Sequence, residues 1–210
     1  DEVITAPITD MGSVIPILYQ NAIPVFADVD PQTHTMDPSE IEKKVSQKTK
    51  AILAVHIYGH PCEMDPIMEI AEERGLVVIE DCAQALLAQY KGKKVGTLGH
   101  LACFSFQQSK HMTTGDGGMV TTNSDGRFGR QLKLCADKGW PRGKEIAGVK
   151  RDHLFLAPNY HMTELQGAVG LAQLTKLPEI VRKRREAARL FDRLVEQIPG
   201  MSPLGHREWA

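Results

Sequence analysis

Residues 50–81, KAILAVHIYGHPCEMDPIMEIAEERGLVVIED, decide the fold of this chain. The segment opens with a continuous apolar run at 51–55 and closes with a second run at 76–79. Between the two runs, Asp65-Pro66 is a helix-start signal followed by apolar residues at helical spacing. A strand, a helix and a strand of these lengths pair in parallel through a right-handed crossover, so the segment predicts an α/β fold.

The same alternation of strand and helix extends along most of the chain. Strands are predicted at 3–6, 23–29, 50–56, 76–79, 104–106 and 119–122, and helices at 12–20, 38–45, 65–74, 126–138, 163–174 and from 178 onward. Asp125 is the expected cap of one helix, Thr163 opens a capping box with Gln166, and the polar stretch 139–152 predicts a loop. Because the key strands are apolar throughout, we expect helices to cover the sheet on both faces.

The composition is that of an ordinary globular protein. The chain has 210 residues, of which 42% are hydrophobic and 24% are charged, and its formal net charge is −1. This balance gives no reason to expect nucleic acid or a membrane as a partner, and no apolar run is long enough for a membrane span. We interpret the basic cluster at 182–185 as a solvated helix face.

The cysteines and the two ends of the chain suggest its context. Cys62, Cys82, Cys103 and Cys135 are widely spaced and form no CxxC pair, which favours free thiols in a reducing compartment. The first residues lack the basic and apolar regions of a signal peptide, so we expect a cytoplasmic protein. Both ends are abrupt, and we expect the chain to be part of a longer protein.

One lysine lies in a distinctive setting, the segment 104–120, FSFQQSKHMTTGDGGMV. A short apolar run ends in polar residues, presents Lys110 and enters a glycine-rich turn at 115–118 that leads into another apolar run. This arrangement holds one amine at a fixed point on a rigid scaffold, which makes Lys110 a candidate nucleophile toward a carbonyl. A solvated loop lysine is the ordinary alternative.

Other polar residues also follow predicted strands, at the edge where parallel α/β sheets bind their ligands. Asp81 can accept a hydrogen bond from a protonated ring nitrogen, and Ser105 with nearby backbone N–H groups can bind phosphate. A helix cap, a salt bridge or a strand hydrogen bond would be ordinary roles for these residues. The combination of Asp81 with Lys110 at neighbouring strand ends suits pyridoxal phosphate.

Competing sites have weaker support. His56 and His60 have the i,i+4 spacing of some metal-binding helices, but Gly59 and Pro61 disfavour a helix there, so we predict no metal site. The glycine cluster lacks the GK[ST] ending of a nucleotide-binding loop. Cys82 is conceivable as a nucleophile, but no histidine is close in sequence to support it.

Five motifs follow one another along the chain: VHIYGHP at 55–61, VIEDCAQA at 78–85, YKGKKVG at 90–96, the segment 104–118, and PNYHMTELQ at 158–166. Together they resemble the DegT/StrS family of pyridoxal-phosphate-dependent sugar aminotransferases. The resemblance implies the large domain of fold type I, the aspartate-aminotransferase-like fold, with three α/β/α layers and a mixed, mostly parallel sheet. It implies that residues 1–176 form the central part of the large cofactor-binding domain, and that residues 177–210 form a long connecting helix with the truncated start of a small carboxy-terminal domain.

The resemblance also implies the cofactor-binding residues. Lys110 would form a Schiff base with pyridoxal phosphate, and Asp81 would bond the pyridinium nitrogen. Gln84 would lie against the ring hydroxyl region, and Ser105 would bind the phosphate. Asn159 would reach the phosphate bound by the partner subunit, so that a homodimer would share each active site.

Further consequences of the resemblance concern substrate residues and departures from the family pattern. His56 and Tyr58 lie in a loop that is near the site in this family, and His161 stands where an arginine is common. The family's glycine-threonine phosphate turn would precede residue 1, and its small domain would follow residue 210. The segment Pro7–Met11 lacks the aromatic residue that stacks on the cofactor in many members.

From these features we expect a ping-pong transamination. Glutamate or glutamine would load the cofactor with an amino group, which would then pass to a keto sugar, typically a nucleotide-linked one. A sugar dehydratase on the same fold is an alternative, although such members carry histidine in place of the lysine. A non-catalytic or regulatory cofactor-binding protein, and an inactive fragment, are further alternatives.

Overall fold

A computed structural model describes residues 1–141 and 152–207 of the chain. Eight strands are present in these ranges: β1 (Glu2–Thr5), β2 (Ile23–Phe26), β3 (Thr49–Val55), β4 (Val77–Asp81), β5 (Gln89–Tyr90), β6 (Lys93–Lys94), β7 (Leu101–Ser105) and β8 (Gly118–Thr122). The α-helices there are α1 (Met11–Tyr19), α2 (Pro38–Lys44), α3 (Met64–Arg74), α4 (Arg130–Ala136), α5 (Glu164–Leu174) and α6 (Leu177–Val195). The loop predicted at 139–152 lies mostly outside the described residues.

Six of the strands form one sheet in the order β2-β1-β3-β4-β7-β8, and β5 with β6 forms a separate hairpin. Every neighbouring pair in the large sheet is parallel except β7 and β8, which run antiparallel. The mixed, mostly parallel sheet confirms the predicted fold class. Because β1, β3, β4 and β7 are parallel, their carboxyl ends meet at one edge, where the candidate residues were expected.

Helices pack on both faces of the sheet. On β3, Ile52 and Ala54 join a buried cluster with residues of α2 and α3, while the alternate residues Leu53 and Val55 pack with Ile17 of α1. The side chains of a strand alternate between its two faces, so these clusters lie on opposite sides of the sheet. The predicted three-layer arrangement is therefore present. No helix in the described ranges is both long and apolar enough to cross a membrane.

Local sequence signals account for several helix boundaries. The Asp10 side chain accepts a hydrogen bond from Gly12 N at the start of α1, and the predicted capping box between Thr163 and Gln166 is present at the start of α5. Gly75 ends α3 in the left-handed conformation, for which glycine is favoured.

Several boundaries differ from the prediction: β7 begins at Leu101 rather than at 104, β4 ends at Asp81 rather than at 79, and further differences occur at Asp125 and at the end of β2. Asp125 does not precede a helix at 126–138 but begins a π-helical turn, Asp125–Gly129, which leads into the shorter helix α4. Phe128 N and Gly129 N both donate to the Ser124 carbonyl, and the two glycines of this turn reduce its preference for regular α-helix. Strand β2 ends at Phe26 rather than at Val29, which forms only an isolated bridge with Met36.

Candidate active site

A cavity of about 470 Å³ lies where β3, β4 and β7 end. It is lined by Thr9, Asp10, Gly12, Ser13, Val55, His56, Asp81, Ala83, Gln84, Cys103, Phe104, Ser105, Gln107, Ser109 and Lys110. This volume falls within the range of about 300–1,000 Å³ that is usual for small-molecule sites. Asp81 and Gln84 after β4 thus share one cavity with Ser105 and Lys110, which belong to β7 and the segment after it.

Lys110 is held by the turn that follows β7. Lys110 N donates to the Gln107 carbonyl at 3.0 Å, and Phe106 N donates to the Gly117 carbonyl at 2.8 Å, which closes the segment at its base. A Cβ on Gly117, whose φ is +155°, would lie 2.4 Å from Thr114 Oγ1, so this position requires glycine. Within the part of the chain that the structure describes, Lys110 Nζ makes no hydrogen bond or ion pair and is available to a ligand.

Asp81 ends β4 directly beside β7. Its Cα is the register partner of Cys103, two residues before Ser105. Each carboxylate oxygen accepts one hydrogen bond: Oδ1 from Ala83 N at 3.0 Å, and Oδ2 from the Ser13 hydroxyl at 2.7 Å. These two donors fix the orientation of the carboxylate at the cavity wall.

Ser105 and Cys103 belong to the β7 wall of the cavity. Ser105 Oγ accepts a long hydrogen bond of 3.3 Å from Gln107 N at the start of the lysine segment. Burial, together with the neighbouring Asp81 and Cys82, raises the pKa of the Cys103 thiol to about 11. Cys103 is therefore a neutral thiol near pH 7 and is not an activated nucleophile.

Gln84 and Tyr58 contact each other at the edge of the cavity. Tyr58 N donates to Gln84 Oε1 at 2.8 Å, which orients the amide. Tyr58 itself has φ 55° and its side chain is 66% exposed. It lines the adjacent groove beside Arg184 and Arg185 rather than the cavity. A substrate contact by Tyr58 would therefore involve the mouth of the site.

His56 lies at the back of the cavity and is fully buried. Cys62 N donates to its Nδ1 at 3.0 Å, so the ring proton is on Nε2, which lies 3.1 Å from Glu80 Oε2. Both ring nitrogens are thus engaged within the protein. A direct hydrogen bond from His56 to a substrate would have to replace one of these contacts.

Glu80 was not identified from the sequence, although it is the most highly connected carboxylate in the described chain. It accepts hydrogen bonds from Gly96 N, Leu98 N and Gly99 N at 2.7–2.8 Å, in addition to its contact with His56. Burial opposes ionisation, but the bonds from His56, Gly99 and Gly96 hold the pKa of Glu80 below its ordinary value. Its position directly after the predicted apolar strand 76–79 was a local signal, since a carboxylate at a buried strand end needs partners.

His56, Glu80 and Cys82 also place potential metal-binding atoms within 4.8 Å of one another. Glu80 already satisfies three backbone N–H groups and His56, so its oxygens are committed to the protein. Burial raises the pKa of the Cys82 thiol, which disfavours the thiolate that binds metals. We therefore interpret this cluster as a structural network.

Asn159 and His161 lie outside the cavity. Asn159 is exposed and forms an isolated antiparallel bridge with Asp137. His161 Nε2 lies 3.5 Å from the buried Asp137 Oδ2 and lines a separate groove of about 1040 Å³ beside α4. Within a single chain, neither residue contributes to the wall around Lys110.

Comparisons with known proteins identify the family of the chain. The model of the DegT/DnrJ/EryC1/StrS aminotransferase family matches residues 1–210, the whole chain. The chain belongs to this family. Among curated DegT-family relatives, GDP-perosamine synthase of Escherichia coli O157:H7 is 43% identical over 200 residues, covering 94% of this chain and 53% of that protein.

Solved structures of DegT-family proteins share the fold. 3-Amino-5-hydroxybenzoic acid synthase superposes with a TM-score of 0.91 at 33% identity, covering 100% of this chain and 54% of the other. The putative sugar aminotransferase Spr1654 of Streptococcus pneumoniae, in its PMP form, gives 0.86 at 26% identity, covering 99% and 58%. The chain spans about half the length of the curated relatives it matches.

The segment Pro7–Met11 contains no aromatic residue. In the segment Pro7–Met11, Asp10 lines the cavity and its carboxylate accepts a hydrogen bond of 2.7 Å from Gly12 N. Asp10 therefore caps α1 and provides no ring surface. Thr9 and Ser13, on either side of it, carry hydroxyls that also line the cavity.

Proposed function

We propose that this protein is a pyridoxal-phosphate-dependent aminotransferase, or the part of one that carries the catalytic lysine. The observation that carries the proposal is the shared cavity of Lys110 and Asp81 at the carboxyl ends of adjacent strands. An uncommitted amine and an oriented carboxylate in one cavity are the two groups that such chemistry needs. The names of the relatives, aminotransferases and a GDP-perosamine synthase, support the same reaction class.

The residues present fit pyridoxal phosphate. Asp81 retains acceptor capacity for a ring N–H, Lys110 Nζ is available for the aldehyde carbon, and Ser105 can donate its hydroxyl to the phosphate. Gln84 would lie against the ring hydroxyl region with its amide oriented by Tyr58. When bound, the cofactor supplies an electron sink for breaking the C–H bond at Cα of an amino acid.

The protein's own groups then perform the proton transfer. Lys110 would be the general base that moves the proton at Cα of the amino acid. Asp81 would accept the hydrogen bond of the ring nitrogen through its fixed carboxylate and so favour the protonated ring. Strand β7 and the turn at 106–117 fix the backbone from which the Lys110 side chain extends.

The substrates we propose are glutamate or glutamine as the amino donor and a keto sugar as the acceptor, typically a nucleotide-linked one. Support comes from the relative named GDP-perosamine synthase, since its name includes a nucleotide-linked sugar amine. One cavity around one amine favours a ping-pong order, with the donor leaving before the sugar binds. A sugar dehydratase is disfavoured because lysine occupies the position where those enzymes carry histidine.

We further propose a homodimer that shares its active sites and a cytoplasmic location. Asn159 is exposed and lies outside the cavity of its own chain, which is compatible with a role toward a partner's phosphate. His161 and Tyr58 also face outward from the cavity and would contact the sugar nucleotide only in the assembled site. His56 would support the wall of the site through Glu80.

The proposal is tested by trapping the cofactor. After incubation with pyridoxal phosphate and reduction with borohydride, mass spectrometry should find the pyridoxyl group on Lys110. The variant Lys110→Ala should remain unlabelled, whereas Lys48→Ala, which removes an exposed lysine outside the cavity, should label normally. In a separate sample that is loaded with pyridoxal phosphate and not reduced, glutamate should abolish the visible absorbance of the wild-type protein and release 2-oxoglutarate. Labelling of Lys110→Ala to the wild-type level would contradict the proposal.

A further inference from the structure

A buried serine contacts the proposed ring-nitrogen acceptor. Ser13 lies in the first turn of α1, is only 5% exposed, and donates its hydroxyl to Asp81 Oδ2 at 2.7 Å. The two residues are 68 positions apart in the chain. The contact therefore joins the start of α1 to the end of β4 at the cavity wall.

Thr9 extends this contact into a chain of hydroxyls. Thr9 Oγ1 lies 2.7 Å from Ser13 Oγ, and either atom can donate in that pair. An ionised Asp81 only accepts hydrogen bonds, so the single proton of Ser13 must go to Asp81. Thr9 then donates to Ser13, and both hydroxyl dipoles point toward the carboxylate. Donors aligned in this way strengthen one another inside a protein.

The other carboxylate oxygen of Asp81 is fixed independently. Ala83 N donates to Oδ1 at 3.0 Å from the chain that leaves β4. Two donors from different elements, α1 and the segment after β4, thus define the plane of the carboxylate. The remaining lone pairs must accept any ligand proton within this fixed plane, so Ser13 helps to set the direction in which Asp81 accepts.

We propose that Ser13, supported by Thr9, is a positioning residue that orients the Asp81 carboxylate toward the ring nitrogen of the cofactor. The inference rests on the proposed function, since it requires a cofactor whose ring carries a nitrogen at Asp81. It extends that function because it assigns a role to the start of α1, a segment that carries no lysine or phosphate ligand. Ser13 acts through Asp81 and does not itself react.

The experiment compares two cofactors that differ only at the ring nitrogen. Affinities of wild type and Ser13→Ala are measured by equilibrium dialysis for pyridoxal phosphate and for its 1-deaza analogue, in which C–H replaces the nitrogen. Ser13→Ala removes one hydrogen bond to a charged group, so the affinity for pyridoxal phosphate should fall by about tenfold. The deaza analogue should bind both proteins equally, because it has no proton to give to Asp81.

Further variants separate positioning from general stability. Ser13→Thr keeps the hydroxyl and should have the wild-type affinity for pyridoxal phosphate. Thr9→Val removes the outer donor and should lower that affinity about threefold. Thr35→Val is the matched control, since it breaks another buried hydroxyl pair, between Thr33 and Thr35, away from the cavity. It should change the affinity for neither cofactor.

Two results would overturn the inference. One is unchanged affinity of Ser13→Ala for pyridoxal phosphate, and the other is an equal loss for both cofactors, which would indicate only a structural tie. Failure of the proposed function is distinguishable, because wild-type protein would then show no borohydride-reducible attachment at Lys110. If Ser13→Ala does not fold, the comparison of Thr9→Val with wild type decides by the same criterion.

Discussion

His56 Nε2 and Glu80 Oε2 lie 3.1 Å apart in the core, and both side chains are completely excluded from solvent. The carboxylate also binds the backbone of residues 96–99, so one side chain connects β3, β4 and the segment before β7. Since β4 and β7 carry the cavity residues, this pair holds together the scaffold on which Asp81 and Ser105 are placed.

Glu80→Gln should lower the free energy of unfolding by about 3 kcal/mol, because an amide N–H₂ replaces an oxygen that accepts backbone N–H groups. Urea unfolding followed by circular dichroism measures the change. Glu40→Gln, which affects only an exposed pair with Lys43, is the control and should change stability by less than about 1 kcal/mol. Equal midpoints for Glu80→Gln and wild type would show that the network is not stabilising.

The same residue should affect acid stability. The pKa of Glu80 is below its ordinary value in the folded chain, so its contribution is fully present above the unfolded pKa of about 4.3. The contribution is lost as the pH falls through the folded pKa, when the carboxylate gains a proton. Below about pH 4.3, the free energy of unfolding should therefore fall more steeply with decreasing pH in wild type than in Glu80→Gln. Parallel acid transitions would contradict this linkage.

The free energy of unfolding should also depend on pH in milder acid because of His60. Burial, with His206 and Arg207 nearby, lowers the pKa of His60 to about 4. The unfolded chain takes up this proton below about pH 6.5, so stability should fall as the pH drops from there toward the folded pKa. His60→Gln cannot take up the proton and should lose less stability between pH 7 and pH 5. Urea midpoints at the two pH values test this, and an equal loss in both proteins would refute it.

Two glycines after Lys110 provide a matched pair of substitutions. Gly115 has φ +86° with no atom within 4 Å of an added Cβ, whereas at Gly117 the added Cβ would meet Thr114 Oγ1. Gly115→Ala should cost about 1 kcal/mol through backbone strain alone. Gly117→Ala should cost more, shift the turn and reduce borohydride labelling of Lys110. Equal labelling and equal stability of the two variants would show that the turn tolerates the clash.

A shared active site predicts complementation between two inactive variants. Lys110→Ala lacks the reactive amine, and Asn159→Ala lacks the proposed contact with the partner's phosphate. If each site takes these residues from different chains, unfolding and refolding the two proteins together should recover activity that neither has alone. Refolding each variant separately is the control. Recovery no greater than that of the separate proteins would contradict the shared site.

The residues at strand ends could be predicted from the sequence because local signals mark them. Asp81 follows an apolar run, Ser105 ends another, and Lys110 precedes a glycine-rich turn. The neighbouring sequence therefore indicates where each of these residues lies in the fold. Ser13 could not be found in this way, since its partner Asp81 lies 68 residues away and a helical serine has no distinctive local pattern. The hydrogen bonds of Glu80 could not be predicted from the sequence either, because they depend on backbone groups of a loop at 96–99.

The helix boundaries show a similar limit. The capping box at Thr163 was predicted because its two hydrogen bonds lie within one turn and need only local geometry. The π-helical turn at Asp125–Gly129 was not, since the competition between i→i+4 and i→i+5 bonds depends on small differences in packing. Asn159 and His161 were assigned from resemblance alone, and their roles stay predictions.

The reversed strand β8 has a consequence for how substrate preference can diversify. Because β8 returns along β7 over its whole length, with Leu101 opposite Thr122 and Ser105 opposite Gly118, the lysine segment is clamped at both ends by one ladder. Strand pairing offsets part of the entropy of closing that segment. Helices contribute as well, since Phe106 and Met112 pack with Leu177 of α6. If Lys110 is the reactive amine that we propose, surfaces away from this ladder can change for new acceptors while the position of Lys110 is preserved.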